Sequence, residues 1–542
     1  MSKLKTRAGA LLLAAALFAS VPACSSDDAP SGDATTEAKY NPISSSGTAP
    51  GGDFIPTNSE ESGRKTIAWL VFDGLTRIGS ANELIYENAE SVTTTDAITW
   101  TVKLKPNQLF ANGEKLTVDN YIDAWTWGSN ISNAQIASAD LSVIAGYDKL
   151  HPSDGTPATA TTFEGLTRVD DLTFTIKLSR QYSSFPLLLS AVPFFPLPGS
   201  FFDNPDAWRE TPVGNGPYQL KGKIDDSDGA YFDVNPNYTG SRVPENDGVY
   251  IRFYTSPDAI YSDILADNLD LGSASGAGLL TAAADFGDRF ISGPGGPTQT
   301  LTFPLWDEYW QSDAGLKVRQ AISLAIDREQ ITQKVFNGLA VPAKEFTQPG
   351  LNGWNGNLPG SDILSFDPVK AKALLAEAGG FDKDLPIYYN ADGAHKDWVE
   401  AVANQLQLNL GINAYPAPVT TFSEFLEQRA NHEFTGPWRA SEIPFNPGLD
   451  DILRNVYSIN GGASSGSDWF SQEYEDLLAE GWKQTDVNAA NAYFNQAQEV
   501  LLRELPAIPL WYSYRTQIHS TLVSNVQVSA FGSNTYLIHK ES

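Results

Sequence analysis

Few residues in this sequence combine the types and the spacing that enzyme chemistry requires. Residues 462–466 match the G-x-S-x-G pattern that presents a nucleophilic serine in hydrolases, but no apolar strand precedes them and no helical pattern follows. A loop is therefore favoured there, and a secreted hydrolase stays an alternative. The five histidines are scattered, with no pair at helical spacing: His151, His395, His432, His519 and His539. The sequence predicts no metal site, no cofactor and no enzyme activity.

Length and charge narrow the class of protein further. A chain of 542 residues is too long for one hydrophobic core and predicts two or three globular units. The formal net charge of −29 argues against a nucleic-acid partner, because phosphate backbones are bound through clustered Lys and Arg. A single cysteine allows no intramolecular disulfide, so packed cores must hold the protein together.

The N-terminus has the pattern of an export signal. Lys3, Lys5 and Arg7 precede an apolar run of about a dozen residues, which is too short to span a bilayer. Small residues then lead to Cys24 in the segment VPAC, which resembles a bacterial lipobox, where the cysteine is diacylated. A conventional secretory signal with an incidental cysteine is the alternative. We expect residues 1–23 to be a signal peptide and the Ser-rich and Pro-rich residues 24–52 to be a flexible tether.

Periodic apolar residues predict the elements that must position any binding site. Residues 98–104 and 172–178 alternate apolar and polar side chains, which indicates two half-buried strands. Apolar residues at helical spacing over 318–336 predict one long helix. A further helix begins at Asp367, a typical cap, with Pro368 in its first turn. Strands and helices thus occur throughout the chain, which predicts an α/β fold.

The segment TPVGNGPY, residues 211–218, predicts a tight turn that enters a strand. Gly214 and Gly216 are expected to adopt backbone angles that residues with a Cβ avoid, and Pro217 fixes the next φ. This segment is expected to mark a crossing between two halves of the chain.

Several motifs, in the right order along the chain, carry a resemblance to a known family. The most specific is KVRQAISLAIDR, residues 317–328. The others, besides the turn described above, are FDGL, FANGEKLTVDNYIDAW and FDPVKAKALLAEAG, at residues 72–75, 110–125 and 366–379. In these segments the chain resembles the extracytoplasmic solute-binding proteins of oligopeptide and dipeptide ABC importers, family 5, over residues 52–542.

The resemblance implies a two-lobed periplasmic-binding-protein fold, type II, of the large form with three subdomains. Hinge crossings are expected near residues 211 and 506. The expected parts are lobe I in 53–85, 206–300 and 506–542, its smaller subdomain in 86–205, and lobe II in 301–505.

The resemblance also implies where a ligand binds. In the family, the loop at residues 436–444 reads W-x-x-D-Y-P, its carboxylate pairs with the α-ammonium of a peptide, and its backbone runs alongside the peptide as an added strand. Alignment on the proline puts Glu442 in the position of the aspartate and Ala440 in the strand. Alignment on Ser441 is the alternative, and it would leave no charge there.

Neighbouring residues have two interpretations each. Arg439 is a candidate partner for the far carboxylate of the peptide, or a structural arginine. Trp438 is a pocket wall or part of the core. An acidic segment near the start of lobe I resembles the first ligand-facing segment of the family, or is an acidic helix start: Asn58, Ser59, Glu60 and Glu61.

These expectations together describe the substrate-binding component of an ABC importer, which captures short peptides between its lobes and delivers them to permease subunits. The protein is expected to be a monomer, anchored by lipid on Cys24 at the extracytoplasmic side of the cell membrane. Relatives of this fold bind nickel chelates, haem, opines or sugars, so a non-peptide solute stays an alternative. A surface-adhesion role is a third possibility.

Overall fold

The computed structural model describes residues 40–50, 52–59, 61–275, 277–459, 466–531 and 534–541. Strands occur along the whole of this part of the chain. In chain order they are β1 (Ile43–Gly47), β2 (Thr76–Ile78), β3 (Leu84–Tyr86), β4 (Ala89–Thr94), β5 (Thr99–Leu104), β6 (Leu166–Arg168), β7 (Thr173–Lys177), β8 (Tyr218–Asp225), β9 (Gly229–Val234), β10 (Gly248–Phe253), β11 (Leu271–Gly272), β12 (Phe290–Gly293), β13 (Thr298–Thr302), β14 (Ala340–Pro342), β15 (Leu385–Asn390), β16 (Ala414–Val419), β17 (Trp438–Glu442), β18 (Ala507–Ser513), β19 (Arg515–His519), β20 (Val523–Ser524) and β21 (His539–Lys540).

Helices alternate with these strands, and one π-helical turn, Leu453–Tyr457, continues the fifteenth helix. In chain order the α-helices are α1 (Ser62–Val71), α2 (Val118–Ser129), α3 (Tyr147–Leu150), α4 (Phe185–Leu188), α5 (Gly199–Asp203), α6 (Pro205–Glu210), α7 (Pro257–Leu265), α8 (Ala277–Phe286), α9 (Glu308–Gln311), α10 (Asp313–Ala325), α11 (Arg328–Lys334), α12 (Pro368–Glu377), α13 (Lys396–Leu410), α14 (Phe422–Ala430), α15 (Leu449–Ile452), α16 (Gln472–Trp482) and α17 (Val487–Glu504).

Two large mixed sheets form the two lobes. Lobe I contains a seven-stranded sheet in the order β12-β19-β11-β1-β10-β9-β8, and lobe II a six-stranded sheet in the order β14-β18-β13-β17-β15-β16. A smaller antiparallel sheet, β4-β5-β7-β6, holds the two alternating strands that the sequence predicts, with Val102 opposite Phe174. Their apolar side chains are buried, as the period of two requires.

The chain crosses between the large sheets at two places that the sequence did not indicate. It leaves lobe I between β12 and β13 and returns between β18 and β19, so the crossings are residues 294–297 and Tyr514. The predicted crossing near 211 is wrong, because β8, which follows it, pairs with β9 inside lobe I. The predicted crossing near 506 is wrong, because β18 pairs with β13 and β14 inside lobe II. The last segment of lobe I therefore begins with β19 and not at residue 506. An apolar strand such as β18 suits the centre of either sheet, so its composition could not decide the matter.

The predicted tether also extends too far. Residues 43–47 form β1, which lies inside the seven-stranded sheet and runs parallel to β10 and β11. Ile43 is fully buried, and the Ser44 backbone N–H donates to Asp270 at 2.8 Å. The small polar residues of the segment ISSSG favour a tether, but in the fold the neighbouring strands and Asp270 satisfy its polar groups.

The motif at residues 317–328 holds lobe II together through two buried arginines. Arg319 donates to the backbone carbonyls of Leu505 and Glu504, and Arg328 to those of Pro509 and Leu364, all at 2.7–3.0 Å. Desolvation lowers the pKa of Arg328 to about 9. These bonds fasten the helical layer to β18 and to the turn before it.

The single long helix predicted over this motif is interrupted. α10 ends at Ala325, and Ile326 is extended. Asp327 is the N-cap of the next helix, α11, and its side chain accepts from Gln330 N–H at 2.9 Å. Asp is a strong N-cap, and it outweighs the continuous apolar spacing. The cap predicted at Asp367 is confirmed, since its side chain accepts from Val369 and Lys370 N–H.

The turn at residues 211–218 packs against the end of α1 within lobe I. Neither Gly214 nor Gly216 has positive φ, so the predicted unusual backbone angles are wrong. Glycine is needed for close approach, because a Cβ on Gly214 would lie 2.1 Å from the Val71 carbonyl oxygen. The Asn215 side-chain amide accepts from Asp73 N–H and donates to Asp73 C=O, both at 3.1 Å.

Replacing Gly214 by Ala should lower the free energy of unfolding by about 1 to 3 kcal/mol, since backbone must move to admit the methyl group. Gly293→Ala is the matched control, because no atom of the described residues, its chain neighbours apart, lies within 4 Å of a Cβ there. Urea unfolding measures both variants. Equal stability of the two variants would contradict the close-approach explanation.

An ion pair is buried beneath this turn. Arg242 lies 2.7 Å from Asp73 and donates to the carbonyls of Trp69 and Phe72, while Tyr238 donates its hydroxyl to Asp73 at 2.7 Å. Desolvation, partly offset by Arg242, raises the pKa of Asp73 to about 6. The pair fixes the FDGL turn at the end of α1 against the loop before β10.

Candidate functional site

β17 carries most of the predicted ligand residues and lies inside the lobe II sheet. Its burial alternates, with Trp438 and Ala440 buried and Arg439 and Ser441 partly exposed. Trp438 stacks on Trp306 and is fully buried, so it belongs to the core. By the same alternation Glu442, the last residue of β17, shares the inward face with Trp438 and Ala440.

Glu442 is desolvated but retains an exposed fraction. Burial raises the pKa of its carboxyl to about 7, while the positive charges of Arg429 and Arg439 oppose the rise. No hydrogen bond or ion pair joins this carboxyl to another described residue. Burial, and then the negative charge of Glu442, raise the pKa of Tyr457. A cation that approaches this buried carboxyl stabilises its ionised form.

One edge of β17 is open beside Glu442. The strand pairs along its whole length with β13 on one side, from Thr302 opposite Trp438 to Thr298 opposite Glu442. On the other side only Trp438 pairs, with Tyr388 of β15. Along the described chain, residues 439–442 therefore have no strand partner on that side. Such an edge can accept an extended peptide as an added strand.

By the same alternation, Arg439 and Ser441 lie on the opposite face of β17 from Glu442. Both side chains are hydrogen-bonded to other residues. Arg439 donates to the Asn390 side chain, at 2.8 Å from Nε, and lies over the Phe422 ring at 4.9 Å. Ser441 donates to Gln299 Oε1 at 2.9 Å. Arg439 thus has the contacts of a structural arginine, and Ser441 those of a hydroxyl that ties β17 to β13.

The predicted segment of lobe I forms a helix start. Glu61 caps α1 by accepting from Gly63 and Arg64 N–H, Ser59 is buried and donates to Ile55 C=O, and Asn58 donates to Asp53. One turn further along α1, the Lys65 ammonium lies 5.6 Å from the centre of the exposed Phe445 ring of lobe II. This contact places the start of α1 opposite the end of β17.

Two predicted residues, Cys24 and Glu60, lie outside the described residues, as do positions 462–465 of the G-x-S-x-G segment. Among the described residues, no group of three or more His, Cys, Asp or Glu is arranged to hold a metal ion. Within the same part of the chain, no helix has the length and apolar character needed to cross a bilayer.

Comparison with known proteins adds the family. Residues 83–441 match the family model described as "Bacterial extracellular solute-binding proteins, family 5 Middle". The chain belongs to this family of solute-binding proteins. It is 24% identical to the dipeptide-binding protein DppE of Bacillus subtilis, with 86% of each chain covered. It is 23% identical to the periplasmic oligopeptide-binding protein OppA of Haemophilus influenzae, with 84% of this chain and 85% of OppA covered.

Solved structures give the same fold for this solute-binding protein. The unliganded open form of the murein tripeptide binding protein MppA superimposes with a TM-score of 0.78 at 21% identity, covering 90% of this chain and 95% of MppA. Haemophilus influenzae OppA in complex with the peptide RPPGFSPFR gives a TM-score of 0.69 at 19% identity, covering 93% and 100%. The predicted two-lobed α/β periplasmic-binding-protein fold is thereby confirmed.

Sequence reasoning missed some residues of the site in this solute-binding protein. Arg429 comes from α14 and Tyr457 from the π-helical turn, so both approach Glu442 from segments distant in sequence. Gln299 is fixed by β13, where its side chain bonds both Ser441 and the Ala440 carbonyl. No motif marked these positions, because their relation to Glu442 arises only from strand register and helix packing.

Proposed function

We propose that this chain is the substrate-binding component of an ABC importer that captures short peptides between its lobes. The open edge of β17 beside the desolvated Glu442 carries the proposal. An extended peptide bonds this edge through its backbone, and its α-ammonium meets the Glu442 carboxylate, which supplies the charge partner that the closed cleft requires. Relatives named for dipeptide and oligopeptide binding support the same ligand class.

The two-lobed form also explains how the bound peptide is delivered to the membrane permease. Ligand bridges the lobes, the crossings at 294–297 and Tyr514 act as the hinge, and the closed form is recognised by membrane permease subunits. No bond is made or broken in this cycle, and we propose that the receptor is a monomer. We place it on the extracytoplasmic side of the cell membrane, held by an acylated Cys24 and the tether that follows.

The pH dependence of binding tests the assigned role of Glu442. A peptide ammonium binds the carboxylate form, so binding should weaken as pH falls below about 7, and binding at pH 5 should be about 50-fold weaker than at pH 7. Above about pH 8 the peptide amine loses its proton and binding falls again. Affinity for the peptide is therefore expected to be greatest between about pH 7 and about pH 8.

The measurement is calorimetric titration, at pH 5 to 8.5, of a peptide selected by the protein from a degenerate tri- to pentapeptide library. Glu442→Gln should bind weakly with a flat profile between pH 5 and 7. The proposed peptide-binding role of Glu442 fails if the library yields no ligand. It also fails if the wild type, still folded at pH 5, binds the peptide as tightly at pH 5 as at pH 7.

A further inference from the structure

A buried contact joins the two lobes beside the small sheet β4-β5-β7-β6. Tyr182, which follows β7, meets Trp482, the last residue of α16 in lobe II, edge to face, with ring centres 6.3 Å apart. Both side chains are buried, with exposed fractions of 1% and 3%. Ser183 donates to the Gly481 carbonyl beside them at 3.2 Å. The lobe junction is the name used below for these residues and their neighbours Arg180, Leu187, Gly448 and Arg454.

Apolar packing runs through the lobe junction without a break. Tyr182 and Trp482 belong to one continuous cluster of buried apolar side chains that contains residues of both lobes. Leu187 of α4 packs directly on Gly448 of lobe II, since a Cβ on that glycine would lie 3.1 Å from Leu187 Cδ1. Parting the lobes here would expose both rings and the leucine to water, and the hydrophobic effect opposes that exposure.

Two arginines stack across the lobe junction in a reciprocal way. Arg180, on the side of the small sheet, has its Cζ atom 4.5 Å from the centre of the Trp482 ring of lobe II. Arg454, on the π-helical turn of lobe II, has its Cζ atom 5.5 Å from the centre of the Tyr182 ring. Each guanidinium group therefore lies on an aromatic ring of the other lobe, and such contacts strengthen as water is excluded.

Acidic residues balance these two arginines. They are Asp140, on the side of the small sheet, and Asp450, Asp451 and Glu475 in lobe II. Desolvation, and then the charge of Arg454, lower the pKa of Arg180, while Asp450 and Glu475 oppose the fall. The arginine of each lobe thus has a carboxylate of the other lobe nearby, and attraction between these opposite charges favours the joined arrangement.

The lobe junction is fixed to the loop that follows β17. Asp451 accepts from Phe445 N–H at 2.7 Å and from the Asn446 amide at 2.9 Å. The Phe445 ring itself is 69% exposed and meets Lys65 of α1. We call Lys65 and Phe445 the mouth contact. The lobes therefore touch in two different ways, through buried packing at the lobe junction and through an exposed ring at the mouth contact, which water can easily separate.

We propose that the lobe junction is a permanent pivot: Tyr182 and Trp482 stay packed while the lobes open and close, and the mouth contact parts and re-forms. The crossings at 294–297 and Tyr514 attach the lobes covalently, and the junction attaches them at a second place. Two fixed places leave rotation about the line through them as the available motion. This pivot is a property of the fold, and it does not require the ligand to be a peptide.

The test measures two distances by electron–electron resonance between spin labels, in the full-length chain with Cys24→Ala so that only introduced cysteines are labelled. One pair, Ser179→Cys with Lys483→Cys, is exposed beside the lobe junction, and the other, Ser62→Cys with Phe445→Cys, spans the mouth contact. On addition of a library-selected peptide, the junction distance should change by less than about 2 Å and the mouth distance by more than about 2 Å. A junction distance that changes as much as the mouth distance overturns the inference.

The ligand-free protein gives an independent result. Its distance distribution should be narrow at the lobe junction and broad at the mouth contact, because only the mouth opens and closes. Two populations at the junction, or a mouth no broader than the junction, overturn the pivot. If the library yields no peptide, the proposed peptide-binding function fails, while these ligand-free distributions still decide the inference.

A variant tests whether aromatic packing holds the pivot. Tyr182→Ala should broaden the ligand-free junction distribution about twofold, because it removes the ring between Trp482 and Arg454. Tyr231→Ala is the matched control, since Tyr231 stacks on Tyr250 within lobe I and should leave the distribution unchanged. Circular dichroism shows whether each variant is folded, and Arg180→Gln, at a half-buried position, replaces Tyr182→Ala if that variant does not fold. A folded variant with a junction as narrow as in the wild type contradicts this explanation of the pivot.

Discussion

Glu442→Gln should weaken peptide binding by about 2 to 5 kcal/mol, about 30-fold to several thousand-fold, at pH 7.5. Glutamine keeps the shape and the hydrogen-bonding oxygen of the side chain but not its charge, so the loss measures the ion pair with the peptide ammonium. Calorimetric titration with a library-selected peptide gives the affinity. Glu433→Gln, an exposed acid on the same lobe, is the control and should bind as the wild type does.

The same variant should not lose stability. Burial raises the folded-state pKa of Glu442 to about 7, above its ordinary value of 4.5, so the unfolded chain ionises first as pH rises and stability falls between those values. Glutamine removes that fall. Weaker binding with an equal or higher free energy of unfolding at pH 7.5 separates a ligand-binding role from a structural one. Unchanged affinity would reject the role of Glu442, and Ser441→Ala would then test the alternative alignment.

Arg242→Met should lower the free energy of unfolding by about 3 to 5 kcal/mol, because it leaves the Asp73 carboxylate buried without its cation. Arg252→Met is the matched control, since its ion pair with Asp263 is partly exposed and should contribute about 0 to 1 kcal/mol. Urea unfolding at pH 7.5 measures both.

A second substitution makes this prediction stricter. Asp73→Asn in the Arg242→Met background removes the unpaired charge and should recover part of the lost stability. In the wild type, Asp73 with its raised pKa should make stability fall as pH rises from about 4 to about 6, and Asp73→Asn should flatten that decline. If the double variant is no more stable than the single one, the ion pair is not what Arg242 supplies.

Local chemistry allowed much of the fold to be predicted from sequence. Strands β5 and β7 follow from alternation, and α12 from a cap and a proline that act within one turn. The break between α10 and α11 was missed because the apolar spacing continues through it, although Asp327 is itself a signal for a new helix start.

Long-range placement could not be predicted in the same way. After Ile43 the strand β1 has only small residues, and pairing with β10 and β11 makes it part of a sheet. β18 is apolar enough for either lobe, and register assigns it to lobe II. Glu442 was indicated by the family resemblance. The positions of its neighbours Arg429 and Tyr457 depend on how distant segments pack.

The central claim is that short peptides fill the cleft between the lobes. Mass spectrometry of ligand released by denaturation from protein purified without unfolding tests it most directly. We predict masses of short peptides with free N-termini, in stoichiometric amount from the wild type and depleted from Glu442→Gln. Release of a nickel chelate, haem, an opine or a sugar in place of peptides would contradict the account.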